Sequence, residues 1–377
     1  MKEDLNFLSE WSEAILNDIK LINEKKSESD ILVFMIGNTS NSDTDFLPYR
    51  TPMRKIVGGF VLGSIVFTQT QAMILSLLID GLVDYICIDA EKKIKTILDP
   101  DLSPFDHFGF NEYKPNKSVE YGNISRACIN LIRKSNTYEY KANDTTIDAT
   151  WHFLIEKYSD LSGKKVVIIG AGNIGNKLSL KLVECGSSVI LLTNNIQRSK
   201  LVADGLNSIK HQGVLSNIEV SENFEESSIN ADVIIGCTNS SPVITTKMVK
   251  NMNKNGVVID LGKGTVFEDA INECIKRNIN TWRVDISALV NSIISSSISM
   301  SEYVKGNFGR QSLNNGIGLI SGGFIGKRYD VIVDSYKEPT YVIGVVDKPG
   351  KIMIKLDDRA RQNIKSTQEF IRLNKNK

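Results

Sequence analysis

The chain of 377 residues contains only three histidines and five cysteines, and neither type is grouped. His107, His152 and His211 lie far apart, with no H-E-x-x-H run and no Cys/His cluster, so the spacing offers no metal site. Cys87, Cys128, Cys185, Cys237 and Cys274 are odd in number, scattered and never C-x-x-C. A chain of this length needs no disulfide staples, and reduced thiols in a cytoplasmic setting are the simplest reading. An excess of one charge is also lacking. Lys plus Arg is 45 against 44 for Asp plus Glu, a formal net charge of +1. That balance argues against a broad nucleic-acid or anionic-membrane surface. Met1-Lys2-Glu3-Asp4 is acidic and has no apolar core, so no signal peptide is expected.

What is present is ordinary globular composition, 41% hydrophobic and 24% charged. The length suggests about two or three domains. One uncharged run, Ile56 to Ile79, is long enough on paper to cross a bilayer. Thr68-Gln69-Thr70-Gln71 cuts it, and Gly58, Gly59 and Gly63 weaken its first half as a helix. It reads as a buried strand or loop, Phe60 to Phe67, followed by a helix, Thr70 to Leu78, and no membrane association is expected.

The organisation that follows is α/β throughout. Residues 31–37 and 84–90 read as buried strands with a helix near 73–82 between them, a βαβ signal for a smaller N-terminal α/β domain over 1–145. Val119 to Lys134 reads as a helix, and a second helix runs from about Asn143 to Tyr158, with Asp144 able to cap its first turn. Strand candidates at 166–169, 189–192, 232–236, 257–260 and 282–284 alternate with helices. They predict a doubly wound parallel Rossmann sheet over 146–300. Residues 301–377 form a Gly-rich, partly β segment, with seven glycines between 306 and 326, short β-like runs at 331–333, 341–346 and 352–354, and a closing helix at 357–373. The glycines suit tight turns and, equally, a mobile closure with Arg310 and Lys327 as anion donors.

The clearest chemistry lies in Val166-Val-Ile-Ile-Gly170-Ala171-Gly172-Asn173-Ile174-Gly175, an apolar strand, a glycine turn and a helix start. Gly170 permits the turn, Gly172 lets a pyrophosphate approach the backbone, and Gly175 lets the helix pack on the sheet. The second strand ends in Leu192-Thr193-Asn194-Asn195-Ile-Gln-Arg198-Ser-Lys200, with no carboxylate to accept from an adenosine ribose diol. Thr193, Asn194 and Asn195 can hydrogen-bond a phosphate and Arg198 can neutralise it, which favours NADP and leaves NAD as the second choice. Arg198 and Lys200 also read as a solvated helix face. Cys237-Thr238-Asn239 and Gly262 end the next two strands, where ligands bind in an open parallel sheet, and are read as lining the cofactor. Cys237 has no base nearby and reads as a packed core residue rather than a nucleophile.

Residues 143–289 together resemble the nucleotide domain of shikimate dehydrogenases and, as closely, of glutamyl-tRNA reductases. Ser162-Gly-Lys-Lys-Val-Val-Ile-Ile-Gly-Ala-Gly-Asn-Ile-Gly175 matches both. Thr193-Asn194-Asn195 resembles the Asn-Arg-Thr of shikimate dehydrogenases, with the Arg missing. Ala231-Asp-Val-Ile-Ile-Gly-Cys-Thr-Asn-Ser-Ser-Pro-Val-Ile-Thr245 looks more like the reductases, and ornithine cyclodeaminases are similar here. The first 140 residues depart from both groups. The Ser-Thr-Cys-Asn-Arg motif of the reductases is absent, and Thr-x-Pro-x-Lys and Asn-Thr-Asp of the dehydrogenases have only the imperfect counterparts Thr51-Pro52-Met53-Arg54-Lys55 and Asn143-Asp144-Thr145.

The resemblance implies an NADP-dependent oxidoreductase acting on a small polar metabolite in an interdomain cleft. Lys55 and Asp144 would be its proton-handling pair, since a lysine and a carboxylate tune one another. Read alone, Lys55 is a surface lysine and Asp144 a helix cap. Two alternatives stay open: a lyase or cyclodeaminase that recycles a retained NAD(H), and a non-catalytic nucleotide sensor. The reading also leaves a homo-oligomer open.

Overall fold

Trp11, Ile15, Ile19 and Ile22 recur three to four residues apart and are buried on one stripe of α1 (Lys2–Asn23) in the computed structural model. The structure describes residues 2–39, 47–97, 119–122, 124–238 and 241–374. They divide into two compact units, Met1–Asn291 and Ser292–Lys377.

The first unit holds two main sheets. The apolar run after α1 is β1 (Ile31–Asn38), followed by β2 (Tyr49–Ile56) and β3 (Gly59–Val66). Helix α2 (Gln69–Ile79) then crosses to β4 (Tyr85–Asp89). A small antiparallel pair, β5 (Ile94–Ile97) with β6 (Val119–Gly122), precedes α3 (Ile124–Ile129), and β7 (Asn136–Tyr140) completes the sheet in the order β2-β3-β1-β4-β7. All its pairings are parallel except β2 with β3. Trp11 Nε1–H donates to Ser64 Oγ at 3.1 Å and pins α1 to β3.

The polar tetrad that interrupts the uncharged run is a helix start. Thr68 Oγ1 accepts from the Gln71 N–H at 3.2 Å, and Gln71 Oε1 accepts from the Phe67 N–H at 2.8 Å, close to a capping box. No described helix is long and apolar enough to cross a membrane. Residues 119–134 do not form one helix. Val119–Gly122 pairs with β5, and Asp80 at the end of α2 accepts backbone N–H groups of Arg133, Lys134 and Ser135, each at 2.9 Å, which bends the chain into β7. Burial alone would raise the Asp80 carboxyl; these three bonds outweigh it and hold the carboxyl below its ordinary value.

Helix α4 (Ala142–Tyr158) leads into the second sheet. Its strands are β8 (Lys165–Ile169), β9 (Ser188–Leu192), β10 (Ile218–Ser221), β11 (Val233–Gly236), β12 (Val257–Asp260) and β13 (Asn280–Arg283). Between them run α5 (Asn173–Glu184), α6 (Ile196–Ile209), the single turn α7 (Phe224–Ser227), α8 (Thr246–Asn251) and α9 (Glu268–Lys276). The order is β10-β9-β8-β11-β12-β13 and every pairing is parallel, the doubly wound 3-2-1-4-5-6 arrangement. The strand order reverses between β8 and β11, so the crevice at their C-terminal ends is the place for a ligand. Both faces are buried, which is why the strands read as continuous apolar runs.

Helix α10 (Val290–Glu302) and a π turn, Tyr303–Asn307, lead into the second unit. Its sheet runs β14 (Gly309–Ser312), β15 (Gly318–Ser321), β16 (Val331–Val333), β17 (Val342–Lys348) and β18 (Lys351–Ile352) in sequence order, with β15 and β16 parallel, and α11 (Asp358–Asn374) closes the chain. The glycine-rich stretch is a strand pair and its turns: Gly316, Gly322 and Gly323 have φ of +81°, +63° and +70°. Arg310 is committed to Asp330, donating from Nε at 2.9 Å and from Nη2 at 3.0 Å. Asp330 is 4% exposed, and a Cβ at Gly318 would lie 2.0 Å from its Oδ1.

Asp330→Asn is expected to destabilise the second unit by about 3 kcal/mol in urea denaturation of the full chain. The low end of the range for breaking a buried pair applies because Arg310 is partly hydrated. Adding Arg310→Met is expected to cost less than the sum of the single changes.

Candidate functional site

At the end of β8 the backbone of Gly170 turns with φ +111°, and a Cβ there would lie 3.0 Å from the Cys237 carbonyl carbon. Only glycine fits both requirements. Gly175 is held tighter still, its added Cβ falling 2.0 Å from the Gly170 carbonyl oxygen. Gly172 is different. It is the N-cap of α5 with φ −89°, and nothing lies within 4 Å of its Cβ position. The chain is therefore closed at 170 and 175 and open at 172, directly before a helix N-terminus with no side-chain cap and no acid in its first turn. The unpaired N–H groups of that turn are a ready cradle for a pyrophosphate.

Ala171 and Ile174 pack against the core below, and Asn173 Oδ1 accepts from Asn143 Nδ2 at 3.3 Å. Asn176 Nδ2 donates to the Ala171 carbonyl at 3.1 Å, while its buried Oδ1 has no partner.

At the end of β9, Thr193 Oγ1 accepts from the Asn195 N–H at 3.0 Å and lies 3.0 Å from Ser199 Oγ. Asn195 Oδ1 caps α6 by accepting from the Arg198 N–H at 3.2 Å. Two of the three residues read as phosphate ligands thus spend an oxygen on the helix start. Asn194 is exposed, and so is Arg198, whose guanidinium makes no ion pair among the described residues.

The ends of β11 and β12 interlock. A Cβ at Gly236 would lie 2.0 Å from Thr265 Oγ1, and one at Gly262 would lie 1.8 Å from the Thr238 carbonyl oxygen. Asp260 accepts from the Gly264 N–H at 2.7 Å and from Thr265 Oγ1 at 2.9 Å. Thr238 Oγ1 is buried without a partner. Asn239 lies outside the described residues, as does His107. Burial, with Asp260 adding to it, pushes the Cys237 thiol up to about 12, so it stays protonated and inert at neutral pH.

Lys55 and Asp144 are not brought together. Lys55 is paired with Phe60 near the N-terminal end of β3, on the edge strand of its sheet. Asp144 follows β7, on the opposite edge and at the C-terminal end. Four strand spacings, roughly 19 Å, separate the edges before the displacement along the strands is counted. Asp144 does not cap α4 either: the N-cap is Lys141, without a side-chain bond. Its carboxylate pairs with Lys141 at 2.5 Å and with Lys177 at 2.6 Å, tying α4 to α5. Burial would raise this carboxyl, and the two lysines prevail and lower it.

A buried charge cluster sits instead at the C-terminal end of β4. Asp89 is fully buried and accepts from Lys93 at 2.8 Å, and Lys93, 15% exposed, also pairs with Glu91 at 2.7 Å. Asp89 Oδ1 takes the Glu91 N–H and Glu91 Oε2 takes the Asn143 N–H, so the cluster joins β4 to the start of α4. Burial raises the Asp89 carboxyl against the opposing pull of Lys93. Three charged residues directly after an apolar strand were the sequence signal for it.

The C-terminal side of the second sheet meets the start of α4 and the edge strand β2 of the first. Asn143 touches Asn173, and Lys263, after β12, donates from Nζ to Tyr49 OH at 2.6 Å. Farther along β2, Arg54 Nε donates to Asp285 Oδ2 at 2.8 Å.

Residues 154–285 match the family model of shikimate / quinate 5-dehydrogenase. Glutamyl-tRNA reductase of Campylobacter jejuni is 28% identical over 131 residues, 34% of this chain and 28% of that protein. The same enzyme of Thermosipho melanesiensis is 26% identical over 120 residues, 32% of this chain and 31% of that protein. The chain thus spans under a third of the length of these relatives. Among solved structures, ornithine carbamoyltransferase from Pyrococcus furiosus aligns with 80% of this chain and 92% of that one, at TM-score 0.37 and 14% identity. A shikimate dehydrogenase in complex with NADP+ aligns with 72% of this chain and 97% of that one, at TM-score 0.33 and 11% identity. The second sheet is a doubly wound Rossmann domain, similar in sequence to those of shikimate dehydrogenases and glutamyl-tRNA reductases.

Gly172→Ala is expected to leave thermal stability of the free protein within about 0.5 kcal/mol and to abolish dinucleotide binding, whereas Gly175→Ala should lose both. Calorimetric melts and a binding titration on the same samples separate the two. Alkylation by iodoacetamide at pH 8 should leave Cys237 unmodified in the folded chain and label it after denaturation, read by peptide mass.

Proposed function

We propose that the chain is an NADP-dependent oxidoreductase, transferring hydride to or from a small polar metabolite held between the C-terminal edges of the two sheets in residues 1–291. The observation that carries this reading is the pattern at the glycine loop. It is closed at Gly170 and Gly175, open at Gly172, and sits at the reversal point of a 3-2-1-4-5-6 sheet. The residues fit a dinucleotide: the first turn of α5 for the pyrophosphate, the β9 end for the adenosine ribose, and Thr238 and Gly262 for the second half. Bound there, the dinucleotide would supply or accept a hydride.

The preference for NADP rests on the β9 end, where no carboxylate stands between 193 and 200 and the Arg198 guanidinium is free of ion pairs among the described residues. A ribose 2′-phosphate needs such a cation, and a carboxylate there would repel it. We place it in a reducing, cytoplasmic setting, in keeping with five scattered cysteines that form no C-x-x-C pair. The partner is a small molecule rather than a nucleic acid or a membrane, in keeping with the balanced charge. Lys55 and Asp144, on opposite edges of the N-terminal sheet, do not form the proton-handling pair.

Thermal melts with NADPH, NADP, NADH and NAD at matched concentration test the reading. At about one hundred times Kd the gain is roughly 2.7 kcal/mol. NADPH and NADP are expected to stabilise most, and Arg198→Ala should erase their advantage over the non-phosphorylated pair. No shift with any of the four would overturn the oxidoreductase. Co-purified NAD(H) with no net absorbance change at 340 nm during turnover would point to an internally recycled cofactor.

A further inference from the structure

With Lys55 and Asp144 at opposite corners of the N-terminal sheet, the proposed hydride transfer lacks a group to handle the proton. One pair of side chains spans the two sheets where it is needed. Tyr49 opens β2 opposite Ile65, at the C-terminal end of β3. Lys263 stands in the loop after β12, and its Nζ lies 2.6 Å from Tyr49 OH and 5.2 Å from the centre of the ring.

The direction of this hydrogen bond is forced. An ammonium has three donors and no acceptor, so the phenol oxygen accepts. The phenolic hydrogen must then go to a third group, and among the described residues no acceptor takes it. Tyr49 is 39% exposed and Lys263 is exposed, so a ligand oxygen can reach the pair.

Both partners are held in place. The Tyr49 ring leans on Phe67 with centroids 6.3 Å apart. Its carbonyl accepts from Ser64 Oγ at 2.8 Å, and that hydroxyl accepts from the buried Trp11. On the other side, Lys263 adopts φ +61° and Gly264 φ +111°, with the loop fixed by the Asp260 carboxylate. A left-handed lysine is strained and persists only where its surroundings enforce it. The preceding residue, Gly262, lies against the Thr238 carbonyl, and Cys237 lies against Gly170. Lys263 is therefore one residue beyond the β11–β12 half of the cradle, the half opposite the adenosine end.

We propose that Tyr49 is the catalytic proton donor and acceptor to the substrate oxygen, with Lys263 positioning it and resupplying its proton. The inference rests on the oxidoreductase reading above. In the reducing direction, the substrate carbonyl carbon gains a hydride and its two electrons from the reduced nicotinamide. The carbonyl oxygen takes the Tyr49 proton, Tyr49 takes one from Lys263 Nζ, and the neutral amine recovers one from water. The C=O π bond becomes one C–H and one O–H bond. In the oxidising direction each transfer reverses.

The test uses the full chain labelled with [13Cζ]tyrosine, without cofactor. The resonance missing in Tyr49→Phe belongs to Tyr49. It is expected to move in Lys263→Met and to return towards its wild-type position in Lys263→Arg, which keeps a donor. The same proteins are then assayed for NADPH-dependent reduction of a panel of aliphatic and cyclic oxo acids. Tyr49→Phe is expected to lower kcat by roughly 100-fold or more, with NADPH affinity held within about twofold, while Lys55→Ala reduces at the wild-type rate. A Tyr49 resonance unmoved by Lys263→Met, or full activity in Tyr49→Phe, overturns the assignment and leaves the oxidoreductase standing. Wild-type protein that binds no NADPH, or reduces no member of the panel, counts against both.

Discussion

The first unit is organised by one close approach, the N-terminal turn of α5 against the glycine loop after β8. A Cβ at Gly175 would fall 2.0 Å from the Gly170 carbonyl oxygen, so the helix enters the sheet at a distance no side chain permits. That approach aims the unpaired N–H groups of the turn at the space before Gly172. It also fixes where the ends of β11 and β12 must sit, since Cys237 abuts Gly170 and Gly262 abuts the Thr238 carbonyl. Each contact is backbone against backbone or against a small group. The cradle is accordingly rigid, and its geometry does not depend on the rotamer of any long side chain.

The side chains that join the sheets are different in kind. Arg54 with Asp285 is partly hydrated, and such a pair contributes only about 0–1 kcal/mol. The Asp144 pairs with Lys141 and Lys177, which tie α4 to α5, are of the same sort. The Asp89–Lys93–Glu91 cluster is shielded from water, so losing one member would leave an uncompensated buried charge. The strong polar element thus lies within the N-terminal sheet, and the weak ones lie between the sheets. A cleft built in this way keeps each wall firm and leaves their separation cheap to change.

What could be read from the residues follows the range of the forces involved. The Rossmann strands β8, β9, β11 and β12 announce themselves as apolar runs because both faces of the sheet are covered. The glycine loop is equally legible, because three local backbone demands fall within six residues. Strand β2 was not legible. It is an exposed edge strand, and its register slips between Thr51 and Arg54, where Pro52 has no N–H to give to the ladder. The same stretch looked like a catalytic motif, although pairing with β3 places Lys55 at the wrong end of the sheet. The helix expected over 119–134 failed for a related reason: the turn into β7 is set by Asp80, over fifty residues earlier in the chain. Periodicity within a window carries no information about such a partner.

Tyr49 and Lys263 are 214 positions apart and share no motif, so only the fold joins them. The logic of their contact is nevertheless elementary. A cation that can only donate meets a hydroxyl that can do both, and the hydroxyl's own hydrogen is left for a third group. The loop that carries Lys263 spends backbone strain to make the contact, whereas a strain-free surface lysine would need no left-handed residue and no carboxylate clamp at Asp260. The nucleotide cradle is assembled from the smallest residues available. Across the cleft, the group offered to the substrate is a large side chain steadied from behind by Phe67 and, through Ser64, by Trp11. Recognition by backbone suits a ligand whose phosphates are invariant. A proton must pass at one point in space, and that demands a side chain whose position is enforced from both sheets at once.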